Sequence, residues 1–146
     1  MKKIISILIV AFAFSMTLAA RDVVTRNINV LPAQAVATLN KYFSKVKVNH
    51  IKVDKKTFGG ADYDVVLTNG TEIEFDSDGN WKEIDCGMNK VPQGFVLPAI
   101  VNHVKKYYKG ESIVAIEKDR NKYEVELTDG SELEFGRAGN FRRADH

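Results

Sequence analysis

The chain has little of what most small enzymes and disulfide-rich secreted proteins rely on. Its 146 residues include one cysteine, Cys86, so no disulfide can form within the chain. The three histidines show no zinc-ligand spacing, and neither a His-Glu-x-x-His motif nor a serine in a glycine-framed turn is present. We therefore expect a non-enzymatic protein that has no metal or cofactor, is stabilised by core burial, and has an inert thiol.

The sequence also lacks an apolar run long enough to anchor it in a membrane. The longest, at residues 4–14, is about half of the ~20 residues that a spanning helix needs. Two lysines precede this run, and Thr17-Leu18-Ala19 follows it with the small-x-small pattern of a cleavage site. Residues 1–19 are therefore predicted to be a signal peptide. We expect a periplasmic or secreted protein with no stable membrane span after cleavage.

A dominant charge is missing as well. The chain has 21 basic and 19 acidic residues, and removal of Lys2 and Lys3 with the signal peptide leaves 19 of each. A formally neutral protein has no overall field to attract nucleic acid or an anionic membrane. Nucleic acid is therefore not an expected partner.

Two segments of the chain resemble each other. Residues 63–81 (YDVVLTNGTEIEFDSDGNW) and 123–141 (YEVELTDGSELEFGRAGNF) are identical at ten of nineteen positions and conservatively different at five more. A helical apolar stripe upstream also recurs, but at an offset of 65 residues instead of 60. The change of offset places a five-residue insertion near 55–61, where Gly59-Gly60 indicates a loop.

Each copy is predicted to be one helix followed by a four-stranded antiparallel meander. The fold class is α+β, with two tandem repeats at 27–85 and 91–146. The first copy is predicted to have a helix at 32–44 and strands at 48–55, 62–68, 71–76 and 81–85. The second is predicted to have a helix at 93–109 and strands at 112–119, 121–128, 131–135 and 140–144.

Side-chain alternation predicts how the central hairpin of each copy turns. In the second copy, a three-residue turn at 128–130 puts Val125 opposite Leu133 and gathers the apolar side chains on one face. A two-residue turn would mix apolar and acidic residues on both faces. The longer turn also places Gly130 at a left-handed position, and Gly70 is predicted to do the same in the first copy.

These features resemble the PepSY-like periplasmic proteins, whose fold is similar to that of the beta-lactamase inhibitor protein. The resemblance rests on the export signal, on Leu-Pro-Ala before an amphipathic helix that ends in paired aromatics, and on the repeated Tyr-x-Val-x-Leu-Thr-x-Gly-x-Glu-x-Glu-Phe pattern. It covers nearly all of the mature chain. It implies a tandem helix-on-sheet architecture and a protein-binding or inhibitory role, but it transfers no inhibitory residue.

Two local features admit more than one interpretation. The segment 76–80 (DSDGN) is similar to the start of a calcium loop, but the second copy keeps only Gly and Asn there, so we interpret it as a hairpin turn without metal. Trp81 and Phe141 occupy equivalent positions, where a core-closing aromatic is favoured over an exposed recognition residue.

The sheet face opposite the apolar one is predicted to be acidic. Cross-strand neighbours of like charge destabilise a sheet, so either Lys52, Lys82 and Arg142 neutralise this face or it binds a cationic partner. The candidate binding residues are Asp64, Glu72, Glu74, Glu124, Glu126, Glu132 and Glu134.

The sequence thus favours a non-enzymatic exported binding protein, with inhibition or modulation of a periplasmic protein as one form of that function. Its open sheet face or hairpin loops would bind another exported or envelope protein or peptide. The alternatives are a small-ligand carrier or enzyme with a cleft between the repeats, or a structural component of the envelope. A deep pocket with converging polar groups would favour the carrier or enzyme.

Overall fold

A computed structural model of the chain describes residues 22–146, so the predicted signal peptide at 1–19 lies outside the described residues. The described residues form two α-helices and nine antiparallel strands, which confirms the α+β class. They divide into two compact units, the first ending at Ile84 and the second comprising Asp85–His146. Within residues 22–146, no helix is long and apolar enough to cross a membrane.

The first unit contains one helix and strands that are neighbours in chain order. Its elements are β1 (Asp22–Thr25), a short 3-10 turn (Ile28–Val30), α1 (Ala33–Tyr42), β2 (Val48–Lys55), β3 (Ala61–Leu67), β4 (Glu72–Phe75) and β5 (Trp81–Asp85), whose last residue belongs to the second unit. Strand β1 was not predicted, because four residues are too few to show a periodic pattern. It pairs antiparallel with β2.

The second unit repeats the order of helix and strands. It contains a 3-10 turn (Gln93–Phe95), α2 (Pro98–Tyr107), β6 (Ile113–Lys118), β7 (Lys122–Leu127), β8 (Glu132–Gly136) and β9 (Phe141–Asp145). The prediction that the helix begins at 93 is wrong. Leu97 is extended, with ψ of 140°, because the ring of Pro98 disfavours helical geometry in the residue before it.

The predicted three-residue turns are confirmed. Val125 lies opposite Leu133, and the backbone N–H of Leu127 donates to the carbonyl of Ser131 at 2.9 Å, which leaves 128–130 as the loop. Gly130 has φ of 85°, and Gly70 in the hairpin of β3 and β4 has φ of 86°. Both glycines therefore adopt the left-handed conformation that a bulged type I turn requires.

Alternation along the strands separates a buried apolar face from a polar one. The apolar face carries side chains that are less than 2% exposed: Ile51, Val65, Leu67, Ile73 and Phe75 in the first unit, and Ile116, Val125, Leu127, Leu133 and Phe135 in the second. Each helix adds buried apolar side chains of its own. The thiol of Cys86 is also buried, as expected.

Candidate protein-binding site

The predicted acidic residues occupy the polar face of two hairpins. In the second hairpin (β7 and β8), Glu124 lies opposite Glu134 and Glu126 lies opposite Glu132, as predicted. In the first hairpin (β3 and β4), the directly opposed pairs are Asp64 with Glu74 and Val66 with Glu72. Alternation with buried apolar residues therefore positions all seven side chains on the polar faces.

Basic side chains neutralise one of the two cross-strand pairs in the second hairpin. Nζ of Lys122 lies 2.5 Å from Oε1 of Glu124 and 3.9 Å from Oε2 of Glu134. Arg143 and Arg142 approach Glu134 at 2.9 Å and 3.5 Å. We call Glu124, Glu134 and these three cations the paired row. The hydrogen bond from Lys122 to Glu124 is the main reason why the pKa of Lys122 is raised.

Glu124 is less accessible than predicted. The sequence placed it on an outward face, but only 7% of the residue is exposed, because Glu117, Glu134 and the stem of Lys122 surround it. Its Oε2 is buried and accepts no hydrogen bond from any residue that the structure describes. Glu124 is therefore a structural member of the paired row, and a partner cannot readily reach it.

The second cross-strand pair has a different environment. Glu126 forms no ion pair with any residue among 22–146. The backbone N–H of Cys86 donates to the carbonyl of Val114, which brings the preceding Asp85 beside Ala115, the cross-strand neighbour of Glu126. Burial, then the charges of Asp85 and Glu132, raise the pKa of Glu126.

This second line of carboxylates crosses five strands, β5 to β9, and Ala115 takes the position on β6. Its members are Asp85, Glu126, Glu132 and Asp145, the last of which lies opposite Glu132 on β9. Burial raises the pKa of Asp85 too, although its carboxylate accepts a hydrogen bond from the N–H of Gly87 at 2.8 Å. We call these four residues the acidic row. The acidic row therefore concentrates negative charge at partly buried positions, where water only partly screens the repulsion between the carboxylates.

In the first hairpin, the carboxylate of Glu74 is neutralised by an ion pair, whereas the charged form of Asp64 is unfavourable. Glu74 binds Lys82 at 3.1 Å, as the neutralising interpretation predicted. Lys52 instead forms its ion pair with Asp22 of β1, at 3.3 Å. Burial, followed by the charge of Glu74, raises the pKa of Asp64 to about 7, and the charge of Lys52 opposes that rise.

The segment at 76–80 is a capped turn. Oδ1 of Asp76 accepts hydrogen bonds from the N–H groups of Asp78 and Asn80, both at 2.9 Å, and Oδ2 accepts one from the Asn80 side chain at 3.3 Å. In the described part of the chain, no three His, Cys, Asp or Glu side chains are arranged to hold a metal ion.

The two aromatics singled out in the sequence differ in exposure. Trp81 is partly buried, whereas 43% of Phe141 is exposed. One face of the Phe141 ring stacks on His103 of α2, with centroids 4.4 Å apart and planes 16° apart. Phe141 thus covers the edge of the core without being enclosed by it.

Sequence reasoning missed four residues of the polar face, Asp85, Asp145, Lys122 and Arg143. Asp85 was treated as the end of a strand, and Lys122 and Arg143 were not recognised as the cations that neutralise Glu124 and Glu134. Alternation along β7 and β9 could have indicated the two cations, since Lys122 and Glu124 share a face at positions i and i+2. Asp85 could not be found in this way, because its position beside the second hairpin depends on the pairing of the segment that contains Cys86.

The comparison with protein families agrees with the fold. A family model described as "Putative beta-lactamase-inhibitor-like, PepSY-like" matches residues 61–143, more than half of the chain. The chain belongs to the PepSY-like family. No curated protein matches it.

Three solved structures similar to this PepSY-like protein come from two Bacteroides species. A "putative periplasmic protein of unknown function" from Bacteroides vulgatus ATCC 8482 is 42% identical, with a TM-score of 0.81, and covers 86% of this chain and 99% of its own. A "putative calcium-regulated periplasmic protein" from Bacteroides thetaiotaomicron is 32% identical, with a TM-score of 0.80 and coverages of 86% and 97%.

A third structure, a "putative periplasmic protein from DUF2874 family" of Bacteroides vulgatus ATCC 8482, is 33% identical. Its TM-score is 0.80, and the match covers 88% of this chain and 100% of the other. All three neighbours are described as periplasmic. The predicted location is therefore confirmed, and the protein is periplasmic or secreted.

Proposed function

We propose that this protein is a non-enzymatic binding protein of the cell envelope, and that the partly exposed members of its acidic row, Glu126, Glu132 and Asp145, bind a basic segment of another exported protein or peptide. The two units are proposed to be copies of one module, at 27–85 and 91–146. One observation carries the functional proposal: the acidic row has no ion-paired partner for Glu126 among the described residues, while three cations neutralise the adjacent paired row.

The physical argument starts from the unfavourable charge of the free protein. Glu126 and Glu132 are directly opposed, and Asp85 adds a third negative charge, so each carboxylate raises the free energy of its neighbours. A lysine or arginine from a partner would relieve this repulsion and form charge-assisted hydrogen bonds at the same time. Complementary charge would make association fast and strongly dependent on salt.

The first hairpin supports the proposal less strongly. Val66 stands where the second hairpin has Glu126, so Glu72 faces an apolar side chain and not a second carboxylate. Glu74 already binds Lys82. Asp64, Glu72 and Glu74 therefore remain secondary candidates, and we assign the main contact to the second hairpin.

A peptide titration tests the proposal without knowledge of the natural partner. Binding of a short lysine-rich peptide is measured by fluorescence anisotropy, with a serine-rich peptide of equal length as the reference, at low and at physiological ionic strength. We expect the lysine-rich peptide alone to bind. Its affinity should fall as the pH drops through the raised pKa of Glu126, because protonation removes the attracting charge.

The matched variants separate a site from general charge. Glu126→Gln with Glu132→Gln should abolish binding, whereas Asp54→Asn with Asp78→Asn removes the same charge from exposed positions outside the row and should leave binding intact. Equal loss in both double variants would contradict the proposal. Partners captured from periplasmic extract should show the same dependence on the two variants.

Inhibition is the specific form of this function that the family description suggests. We propose that the bound partner is an enzyme or receptor whose activity changes on binding. Hydrolysis of a chromogenic β-lactam by a periplasmic beta-lactamase, measured with increasing amounts of the mature protein, tests the simplest case. A captured partner whose activity is the same with and without the protein would leave binding intact and refute modulation.

A further inference from the structure

The second unit contains a cavity on the side of α2, away from the acidic row. Its volume is about 150 Å³ and it is partly open to solvent; five apolar residues line it (Val91, Val96, Val101, Val104 and Ile113), together with five polar or charged ones (Lys90, Gln93, Lys105, Glu111 and Ser112). Val96 and Val104 are at least 93% buried, so the floor is part of the core of the unit. An apolar cavity of about 150 Å³ in a protein interior is large enough to bind benzene, that is, about six carbon atoms.

A comparison with the first unit explains why the cavity exists. The offset of 65 residues that aligns the two helices also aligns Val96 with Leu31 and Val104 with Leu39. Leu31 and Leu39 are buried to the same degree as their valine counterparts. The second unit thus carries a side chain one methylene shorter at two neighbouring core positions, and each valine fills less volume than the leucine at the aligned position.

The mouth of the cavity is positively charged. Lys90, in the segment after β5, and Lys105, on α2, both line it and are both exposed. Neither lysine forms an ion pair with a residue of 22–146. Glu111, at the rim, accepts a hydrogen bond from the hydroxyl of Thr128, and its carboxylate offsets one of the two ammonium charges, which leaves the mouth with a net charge of one positive unit. The site therefore combines an apolar interior with two ammonium groups at its entrance.

We propose that this cavity binds a short aliphatic monocarboxylate of about six carbons. The alkyl chain would occupy the space between Val96, Val104 and Ile113, and the carboxylate would remain at the mouth beside Lys90 and Lys105. Burial of the chain supplies most of the affinity, at roughly 25 cal/mol per Å² of apolar surface, and the lysines select an anionic head group. This site is separate from the acidic row and does not depend on the function proposed for it.

Titration of the mature protein with hexanoate, followed by the methyl NMR signals of Val96, Val104 and Ile113, tests the proposal. We expect saturable shifts of these methyl groups. Acetate, which has the charge without the chain, should give none. Hexanol, which has the chain without the charge, should bind more weakly than hexanoate.

Two variants make the test specific. Val96→Leu with Val104→Leu fills the cavity with the residues of the first unit and should abolish hexanoate binding; Val104→Leu alone serves if the double variant does not fold. Lys90→Gln with Lys105→Gln should weaken hexanoate about tenfold, from two partly exposed charge pairs, and leave hexanol unchanged.

Three results would overturn the proposal. The first is the absence of saturable shifts with hexanoate. The second is hexanoate binding that survives in the cavity-filled variant, which would place the ligand elsewhere. The third is tighter binding of N-acetyl-leucine than of hexanoate, which would identify the apolar C-terminus of a peptide as the occupant.

Discussion

The first hairpin and the second hairpin have the same turn and the same register, yet their polar faces differ in charge. Both place a left-handed glycine at the third loop position and both oppose two carboxylates, Asp64 with Glu74 and Glu124 with Glu134. The apolar faces need this geometry, so it is fixed by the core. The polar faces are free of that constraint, and there the two hairpins differ.

The charge difference between the two polar faces depends on few positions. Val66 in the first hairpin and Glu126 in the second are aligned, and only the glutamate extends the negative charge along the sheet. The cations differ too: Lys122 shares a strand with Glu124, whereas Lys82 reaches Glu74 from β5. The same turn and register thus support two charge arrangements. A functional difference between the hairpins would arise from the polar face alone.

The largest expected effect on stability concerns the turn geometry that the two hairpins share. Gly70→Val and Gly130→Val should each lower the free energy of unfolding by about 1–2 kcal/mol, because a β-branched residue is forced into the left-handed region. A Cβ at either position has no atom within 4 Å, so the cost is conformational and should be equal in the two hairpins. Urea denaturation measures it. A variant as stable as the parent would show that its turn does not need left-handed geometry.

The second prediction compares Asp64 with Glu124, which occupy aligned positions in the two hairpins. Asp64→Asn should raise the free energy of unfolding at pH 8 by on the order of 1 kcal/mol, since it removes a charge that is unfavourable in the folded state. Glu124→Gln should lower it by about 1 kcal/mol, because a neutral amide accepts the hydrogen bond from Lys122 without the attraction between opposite charges. Effects of the same sign in urea denaturation would contradict the electrostatic difference between the hairpins.

The pH dependence follows from the raised pKa of Asp64. The folded state holds this proton up to about pH 7, whereas the unfolded chain releases it near the ordinary aspartate pKa of 3.8. The contribution of Asp64 to stability is therefore greatest below pH 4 and is lost as the pH rises to 7. Asp64→Asn should flatten the stability profile in that window, while Asp78→Asn, at an exposed turn, should not.

A smaller effect is expected from exchanging the residues that distinguish the hairpins. Glu126→Val should stabilise the second hairpin by a few tenths of a kcal/mol, up to about 1 kcal/mol, because one member of an opposed like-charged pair is removed. Val66→Glu, the reverse change, should destabilise the first hairpin by a similar amount. Thermal unfolding of both variants measures this, and Glu126→Val should also lose the lysine-rich peptide. Stabilisation by Val66→Glu would show that like charge does not govern this face.

The sequence was sufficient for the elements that depend on alternation and turn chemistry. The register of both hairpins followed from keeping Val125 and Leu133 on one face, and strands β2 and β5 lie where they were predicted. The predicted helix α2 was too long. Its apolar stripe begins before Pro98, in a 3-10 turn that periodicity does not distinguish from a helix. Strand β1 was missed because it is too short.

The polar face could be predicted only in part. Its pairs of carboxylates follow from the register, but burial and ion pairing depend on which long side chains fold over them. Glu124 has the same sequence pattern as Glu126, but its neighbours are Lys122, Glu117 and Glu134, and it is buried. The cavity beside α2 likewise could not be predicted from the sequence. A valine in place of a leucine creates space only if the neighbouring side chains do not collapse into it.

The smallest expected effect concerns calcium, which should leave the melting temperature of the mature protein unchanged. One structural neighbour is described as calcium-regulated, so the capped turn at 76–80 is the natural place to test. Both oxygens of Asp76 already accept hydrogen bonds that close this turn, and the aligned turn after β8 has Gly136 in place of Asp76 and therefore lacks that carboxylate. Calcium needs six to eight oxygen ligands, whereas this turn offers the carboxylate of Asp78 and that of Asp76, whose oxygens also hold the turn closed. Calorimetry in millimolar calcium, with magnesium as the control for general screening, measures the shift. A rise of several degrees that calcium alone produces and Asp78→Ala abolishes would make the turn a binding loop, and would add a difference between the two units that lies outside the hairpins.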